Sequence, residues 1–253
     1  MAKIQETANW LTYDWEVEEQ PARYCVDLAL ADLAPDSGRE ILLYLCCASR
    51  DPKSMSLTPG EDRKAQKLLD KCLKTLDCAY AGYIETDAQR QYYFYVDSEE
   101  KLDGVNAMLE KEKKLLVDAG IQKEPKWQTY FKLLYPDAAK YQTVKNREVI
   151  ALLKKRGDAI TPTRRVNLHV AFQSEILRLT FEEEARNAGF AIGHAEFHPE
   201  QENAHGVTLH TVSGLKTRET DKLTTRTIRL AEKFHGELMH WDCQFVPGGR
   251  SFR

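Results

Sequence analysis

The pattern of apolar residues predicts an α+β protein of two modules, the C-terminal one a ferredoxin-like sandwich, and three observations carry that prediction. From Asn146 to Val246 the chain reads helix, strand, helix, strand, strand, helix, strand. That is a split β-α-β unit with one helix in front, whose antiparallel sheet carries its helices on one face. From Ile41 the first half also runs β-α-β-β-α-β, so the N-terminal module is predicted to be ferredoxin-like too, without shared sequence. Between them, Pro136-Asp137-Ala138-Ala139-Lys140 combines a proline with small and polar residues and reads as a helix exit and linker. The boundary is placed near residue 143, giving an α+β domain over 1–140 and a ferredoxin-like domain over 145–253.

The N-terminal module opens with short strand-like runs, Ala8 to Trp15 and Arg23 to Leu30, before the apolar run Ile41 to Cys47, the signature of a buried central strand. Ala65, Leu68, Leu69, Cys72, Leu73 and Leu76 then recur at the three-and-four spacing of one helical face. Strands over Cys78 to Glu85 and Arg90 to Val96 follow, joined by the polar turn Thr86-Asp87-Ala88-Gln89. Leu102, Val105, Met108, Leu109 and Leu116 predict a second helix that ends near Asp118-Ala119-Gly120, where glycine supplies the left-handed cap. A short extended piece and a helix carrying Trp127, Tyr130, Phe131 and Leu134 close the module.

In the C-terminal module a helix over Arg147 to Lys155 ends at Gly157. A strand over Arg165 to Phe172 leads into a helix from Ser174 to Asn187 that stops at Gly189. Strands over Phe190 to His198 and Val207 to Leu215 follow, then a helix through Phe234 ended by Gly236, and a last strand over Glu237 to Val246. Glu182-Glu183-Glu184 reads as a solvated cluster favoured by the helix dipole.

All seven histidines lie in this module, and strand alternation puts five of them on one face. Val166, Leu168, Val170 and Phe172 alternate with Asn167, His169 and Ala171. Met239, Trp241, Cys243 and Phe245 alternate with His240, Asp242 and Gln244; Val207 and Leu209 alternate with Thr208, His210 and Val212. On the second strand, Ala191, Gly193, Ala195 and Phe197 alternate with Ile192, His194, Glu196 and His198. In a two-layer sandwich the apolar sets go under the helices. His169, His194, Glu196, His198, His210, His240 and Asp242 then share the outer face, which is the candidate binding surface. Its readings are a solvated sheet face, a protein-contact face and a metal site. For the last, His194, Glu196 and His198 emerge on one side of a strand, and His210 of a neighbouring strand could complete a tetrahedral set for zinc, with His194, His198 and His210 as the candidate ligands. Any partner held by this face is expected to bind with pH dependence between about 5.5 and about 7, where imidazoles titrate.

Composition narrows the function. The hydrophobic fraction of 42% and charged fraction of 30% are those of a soluble globular chain. No apolar run is long enough to span a membrane, and Met1 to Trp10 does not read as a secretory leader. Cys25, Cys46, Cys47, Cys72, Cys78 and Cys243 include no C-x-x-C pair, which fits a reduced, cytoplasmic location. Residues 1–143 hold 19 basic and 25 acidic side chains, and residues 144–253 hold 17 and 14. Neither balance is the basic footprint of a nucleic-acid binder. Tyr92-Tyr93-Phe94-Tyr95, with Tyr80 and Tyr83, could stack RNA bases, but it reads first as cross-strand aromatic packing. No phosphate loop, G-x-S-x-G elbow or H-E-x-x-H pair occurs, so no catalytic residue and no cofactor are assigned.

Leu153-Lys154-Lys155-Arg156-Gly157-Asp158, the alternating strand to Phe172, Ala188-Gly189-Phe190, Ala231-Glu232-Lys233-Phe234-His235-Gly236 and the final strand with Trp241 together resemble the regulator of ribonuclease E activity B family. The first module is similar to a domain of unknown function that often precedes such a module. It shares Trp10, Tyr13, the hairpin ending in Tyr95, Trp127-Gln128-Thr129-Tyr130 and Leu134-Tyr135-Pro136. The resemblance implies a ferredoxin-like, non-catalytic regulator that restrains an RNA-degrading endoribonuclease by binding it. A second copy of this chain is a further candidate partner. Three features depart from the family pattern: the module is near +3 where the characterised type is acidic, the acidic tail is replaced by Pro247 to Arg253, and the last strand reads His240-Trp241-Asp242 where glycines are usual. The other readings of the chain are a metal-binding module or metal-dependent enzyme using the histidine face, and a weak RNA binder.

Overall fold

The structure is a computed structural model that describes residues 8–17 and 19–248. Most of the N-terminal stretch read for a leader, and the tail from Gly249 to Arg253, lie outside the described residues. The chain forms two compact α+β units, the first ending at Pro136 and the second beginning at Asp137.

The first unit contains β1 (Trp10–Val17), β2 (Gln20–Asp27), β3 (Ile41–Ala48), α1 (Pro59–Thr75), β4 (Cys78–Thr86), β5 (Gln89–Val96), α2 (Lys101–Leu109) and β6 (Leu116–Lys123). Its sheet runs β1-β2-β4-β5-β3-β6, antiparallel throughout. The run β4-β5-β3-β6 is the ferredoxin-like order, which the β1-β2 hairpin extends at one edge. Helix α1 starts because Thr58 and Glu61 form a reciprocal capping box, with Pro59 at the first helical position. Ala65, Leu68, Leu69 and Cys72 then pack against Leu43, Leu45, Tyr80, Tyr92 and Phe94.

The second half of the predicted second helix is instead strand β6. Helix α2 stops at Leu109, and Leu116 begins the strand, so Gly120 is no cap. It sits opposite Tyr44 in the β3 pairing, with the Tyr44 ring in the space a side chain would take. The apolar residues of 102–116 fit a helix spacing by coincidence of two elements in series. The other sheet face is covered from within the unit. A π-helical turn at Thr129–Leu134 brings Trp127 parallel onto Tyr95 with centroids 3.8 Å apart. The buried Glu124 accepts hydrogen bonds from Tyr95 Oη at 2.8 Å and from Thr129 Oγ1 at 2.7 Å, which pins that turn. Tyr92, Tyr93, Phe94 and Tyr95 are therefore all buried and present no stacking surface for bases.

The second unit contains α3 (Ala138–Lys155), β7 (Arg164–Phe172), α4 (Glu175–Asn187), β8 (Ala191–Phe197), β9 (His205–Ser213), α5 (Thr217–Glu232) and β10 (Glu237–Cys243). Its antiparallel sheet runs β10-β7-β9-β8, the ferredoxin-like order again. The segment predicted as a linker is the first turn of α3: Asp137 caps it, its carboxylate accepting from Lys140 N at 2.9 Å. Proline and alanine there mark a helix start, which has much the same composition as a helix exit.

The buried side of this unit is locked by polar groups. Asn146 of α3, fully buried, donates to Asp221 Oδ1 and Thr224 Oγ1 of α5, each at 2.9 Å. Its amide oxygen accepts from Gln142 Nε2 and from Trp241 Nε1 of β10, again at 2.9 Å. Trp241 is thus core. Arg164 and Asp158 form a buried ion pair at 2.7 Å, and Asp158 also accepts from Val246 N at 2.9 Å. Glu182, expected to be solvated, is buried beside the equally buried Arg178, to which it is hydrogen-bonded, and Arg186 reaches its other oxygen at 3.2 Å. Two arginines at helical spacing explain why the carboxylate tolerates burial.

Candidate functional site

The helices of the second unit pack on the sheet face formed by Val166, Leu168, Val170, Phe172, Val207 and Leu209, all buried. The predicted histidine face is the opposite one, and two β-bulges decide its membership. In β10 the register shifts between Leu238 and His240. Leu238 and Trp241 both point inward and are buried, while Met239 is exposed. The expectation that Met239 lies under the helices is corrected by that extra residue. Phe245, beyond the strand, is also exposed. In β8 the register shifts between Ile192 and Ala195, whose partners Leu209 and Val207 are both buried inward positions. Ile192 therefore belongs with the helix-facing set, not with His194 and Glu196.

The outer face gathers two groups. On β7, β9 and β10, His169 Nε2 lies 2.7 Å from Asp242 Oδ2, and its Nδ1 lies 3.1 Å from the hydroxyl of buried Thr208. The His240 ring stacks on His169 with centroids 4.1 Å apart and planes 12° from parallel. Asn167 bridges the group to its neighbour, donating to Asp242 Oδ1 at 2.6 Å and accepting at Oδ1 from His210 Nδ1 at 2.9 Å. On edge strand β8, Glu196 sits between two histidines, with His194 Nε2 at 2.6 Å from one oxygen and His198 Nε2 at 3.1 Å from the other. His169, His240, Glu196 and His198 meet around a pocket of about 140 Å³ that Thr208 and Met239 also line.

The predicted metal set is not the one that converges. Among the described residues, the donor atoms lying within 4.8 Å of one another belong to His169, His240 and Asp242. His194 and His198 each take a separate oxygen of Glu196, and His210 is turned to Asn167.

The charges follow the geometry. Burial and then the adjacent His169 push the His240 pKa below the usual imidazole value, with Asp242 opposing. Burial, followed by Arg165 and the neighbouring imidazoles, lowers His210. Burial favours a higher value for Asp242, but hydrogen bonds from His169 and Asn167 outweigh it and hold the carboxyl low. Hydrogen bonds from His198 and His194 lower Glu196. The surface thus sets His240 and His210, both made harder to protonate, beside carboxylates held in the ionised form, an arrangement suited to accepting hydrogen bonds from a partner or to ligating a cation. Sequence reasoning missed the roles of Asn167, Thr208 and Met239. Alternation placed Asn167 and Thr208 on the right face, but only the register shows which histidine each touches.

Residues 8–135 match the profile of a family of unknown function, DUF695. Residues 143–243 match the profile of regulator of ribonuclease activity B. No curated protein matches the chain. A crystal structure of an unknown protein from Galdieria sulphuraria aligns with 82% of this chain and 98% of its own at 10% identity, with a TM-score of 0.21, too slight a likeness to carry an argument.

Proposed function

Because the chain belongs to the family of unknown function DUF695 and carries behind it a region of the regulator of ribonuclease activity B family, we propose that it is a non-catalytic regulator that binds an RNA-degrading endoribonuclease and lowers its activity. The observation that carries this reading is the match over 143–243. It is supported by the outer face of β10-β7-β9-β8, opposite the helices of its own unit, where His169, His194, Glu196, His198, His210, His240 and Asp242 supply acceptors and carboxylates. The mechanism is occlusion: the rigid sheet covers about 800 Å² of the enzyme, enough for a stable specific contact. Such a contact needs no catalytic group on the regulator. Its place is the cytoplasm, where a ribonuclease would be met, and no helix among the described residues is long and apolar enough to cross a membrane.

The test adds purified protein to an endoribonuclease of the source organism during cleavage of a labelled RNA. The expected result is a slower cleavage rate with a complex visible by gel filtration. Glu196→Lys and His194→Glu, both at exposed positions, should weaken that complex by about tenfold or more without changing the circular dichroism spectrum. No complex and no slowing would remove the reading; slowing that both variants leave intact would move the contact to another face.

A further inference from the structure

The convergent group on β7 and β10 has the chemistry of a metal centre. Two imidazoles and one carboxylate are a nitrogen-and-oxygen donor set that first-row divalent ions favour, and three protein ligands leave positions for water. We propose that His169, His240 and Asp242 form a binding site for one divalent first-row transition metal ion, with Zn²⁺ as its natural probe. The proposal does not rest on the ribonuclease reading.

Three observations support it. The donor atoms lie within 4.8 Å of one another, and His169 Nε2 is already 2.7 Å from Asp242 Oδ2. Zn²⁺ bonds of about 2.0–2.2 Å need tetrahedral donors roughly 3.4 Å apart, so an ion replaces the His169–Asp242 hydrogen bond, that pair opening by less than an ångström, and exposed His240 is free to adjust toward it. Second, the ligands are already oriented by groups behind them. Thr208, buried, hydrogen-bonds His169 Nδ1, and Asn167 holds Asp242 Oδ1, which leaves His169 Nε2 and Asp242 Oδ2 for the ion. The Thr208 hydroxyl can donate to Nδ1 or accept from Nδ1–H, so it serves His169 in either tautomer. Third, the stacked rings open on the pocket of about 140 Å³ that Glu196 and His198 also line, which leaves room for metal-bound water.

The experiment uses full-length protein without an affinity tag, stripped of metal by a chelator. Zn²⁺ is titrated by calorimetry, and Co²⁺ by its visible absorption. The expected result is one ion per chain and a Co²⁺ spectrum of a nitrogen-ligated ion. His240→Ala and Asp242→Asn should each weaken Zn²⁺ binding by more than the ~10–100-fold that a lost outer-shell partner costs, and Thr208→Val should weaken it within that range at unchanged stoichiometry. His235→Ala should leave binding untouched. Circular dichroism and the thermal midpoint of each metal-free variant confirm that it is folded. The proposal is overturned by the lack of stoichiometric binding to the folded wild-type protein, by binding that His169→Ala and His240→Ala leave unchanged, or by binding that only His194→Ala and His198→Ala remove.

Discussion

His240 shows how burial and a neighbouring ring act together on the pH response of this surface. Its folded pKa lies below the usual imidazole value, chiefly from partial desolvation of a ring that keeps one side in solvent and then from His169 stacked upon it. An imidazole depressed in this way binds protons more readily when the chain unfolds. Its stabilising contribution is full at pH values above about 6.5 and is lost as pH falls below that. His210 acts in the same direction. Asp242 and Glu196, held low, contribute above the usual carboxylate pKa of about 4 and lose that contribution at more acid pH. The urea midpoint of the second unit is therefore expected to fall between about pH 7 and about pH 5.5, and His240→Gln should reduce that fall. A midpoint flat across this range would contradict the assignment. Asn146 matters as much on the other side of the sheet. Asn146→Leu would leave Trp241 Nε1 without its buried partner and is expected to cost about 2–3 kcal/mol in denaturant unfolding.

Among the secondary-structure elements, the ends and irregularities carry the specificity. Strand β7 begins with Arg164, whose buried pair with Asp158 ties it to the backbone that leaves β10 through Val246. Asp158→Ala strands a buried guanidinium and is expected to destabilise the unit by about 3–5 kcal/mol, read as a lowered unfolding midpoint. The glycines that follow α4 and α5 do different work; after α5, which stops at Glu232, the left-handed residue is His235 and not Gly236. Gly189 sits at φ +86 with open space around it, a left-handed helix end. Gly236 is packed against the buried Phe172 ring, so a methyl group there must displace a core aromatic. Gly236→Ala is expected to cost about 1–3 kcal/mol by overpacking, and Gly189→Asn, which suits the left-handed conformation, should cost less. Equal losses from the two would refute the distinction.

The two units use one strand order with opposite outcomes for their second sheet faces. In the first, the segment from Glu124 to Leu134 covers that face with Trp127 and Tyr130. In the second, the corresponding face carries the histidines. On the proposed reading the contact belongs to the second unit, and residues 137–253 expressed alone are expected to fold and to retain the slowing of the ribonuclease. A folded fragment without that effect would assign a share of the contact to residues 1–136.

The element order of both ferredoxin-like cores, the burial of Trp241 and the side of the sheet taken by five histidines were legible in the chain. Each follows from local periodicity: apolar side chains recur every second residue on a half-buried strand and every third or fourth on a helix. The start of α3, the true nature of Leu116–Lys123 and the positions of Met239 and Ile192 were not legible. They depend on which strand pairs with which and where the ladder gains a residue, and a bulge shifts every later side chain by one without changing composition. The same register set the convergent group. The histidines were visible in the sequence, but pairing of β7 with β10 and β9 chose His169, His240 and Asp242 over His194, His198 and His210. Periodicity assigns a face, whereas proximity across strands is a long-range property that only the folded sheet decides.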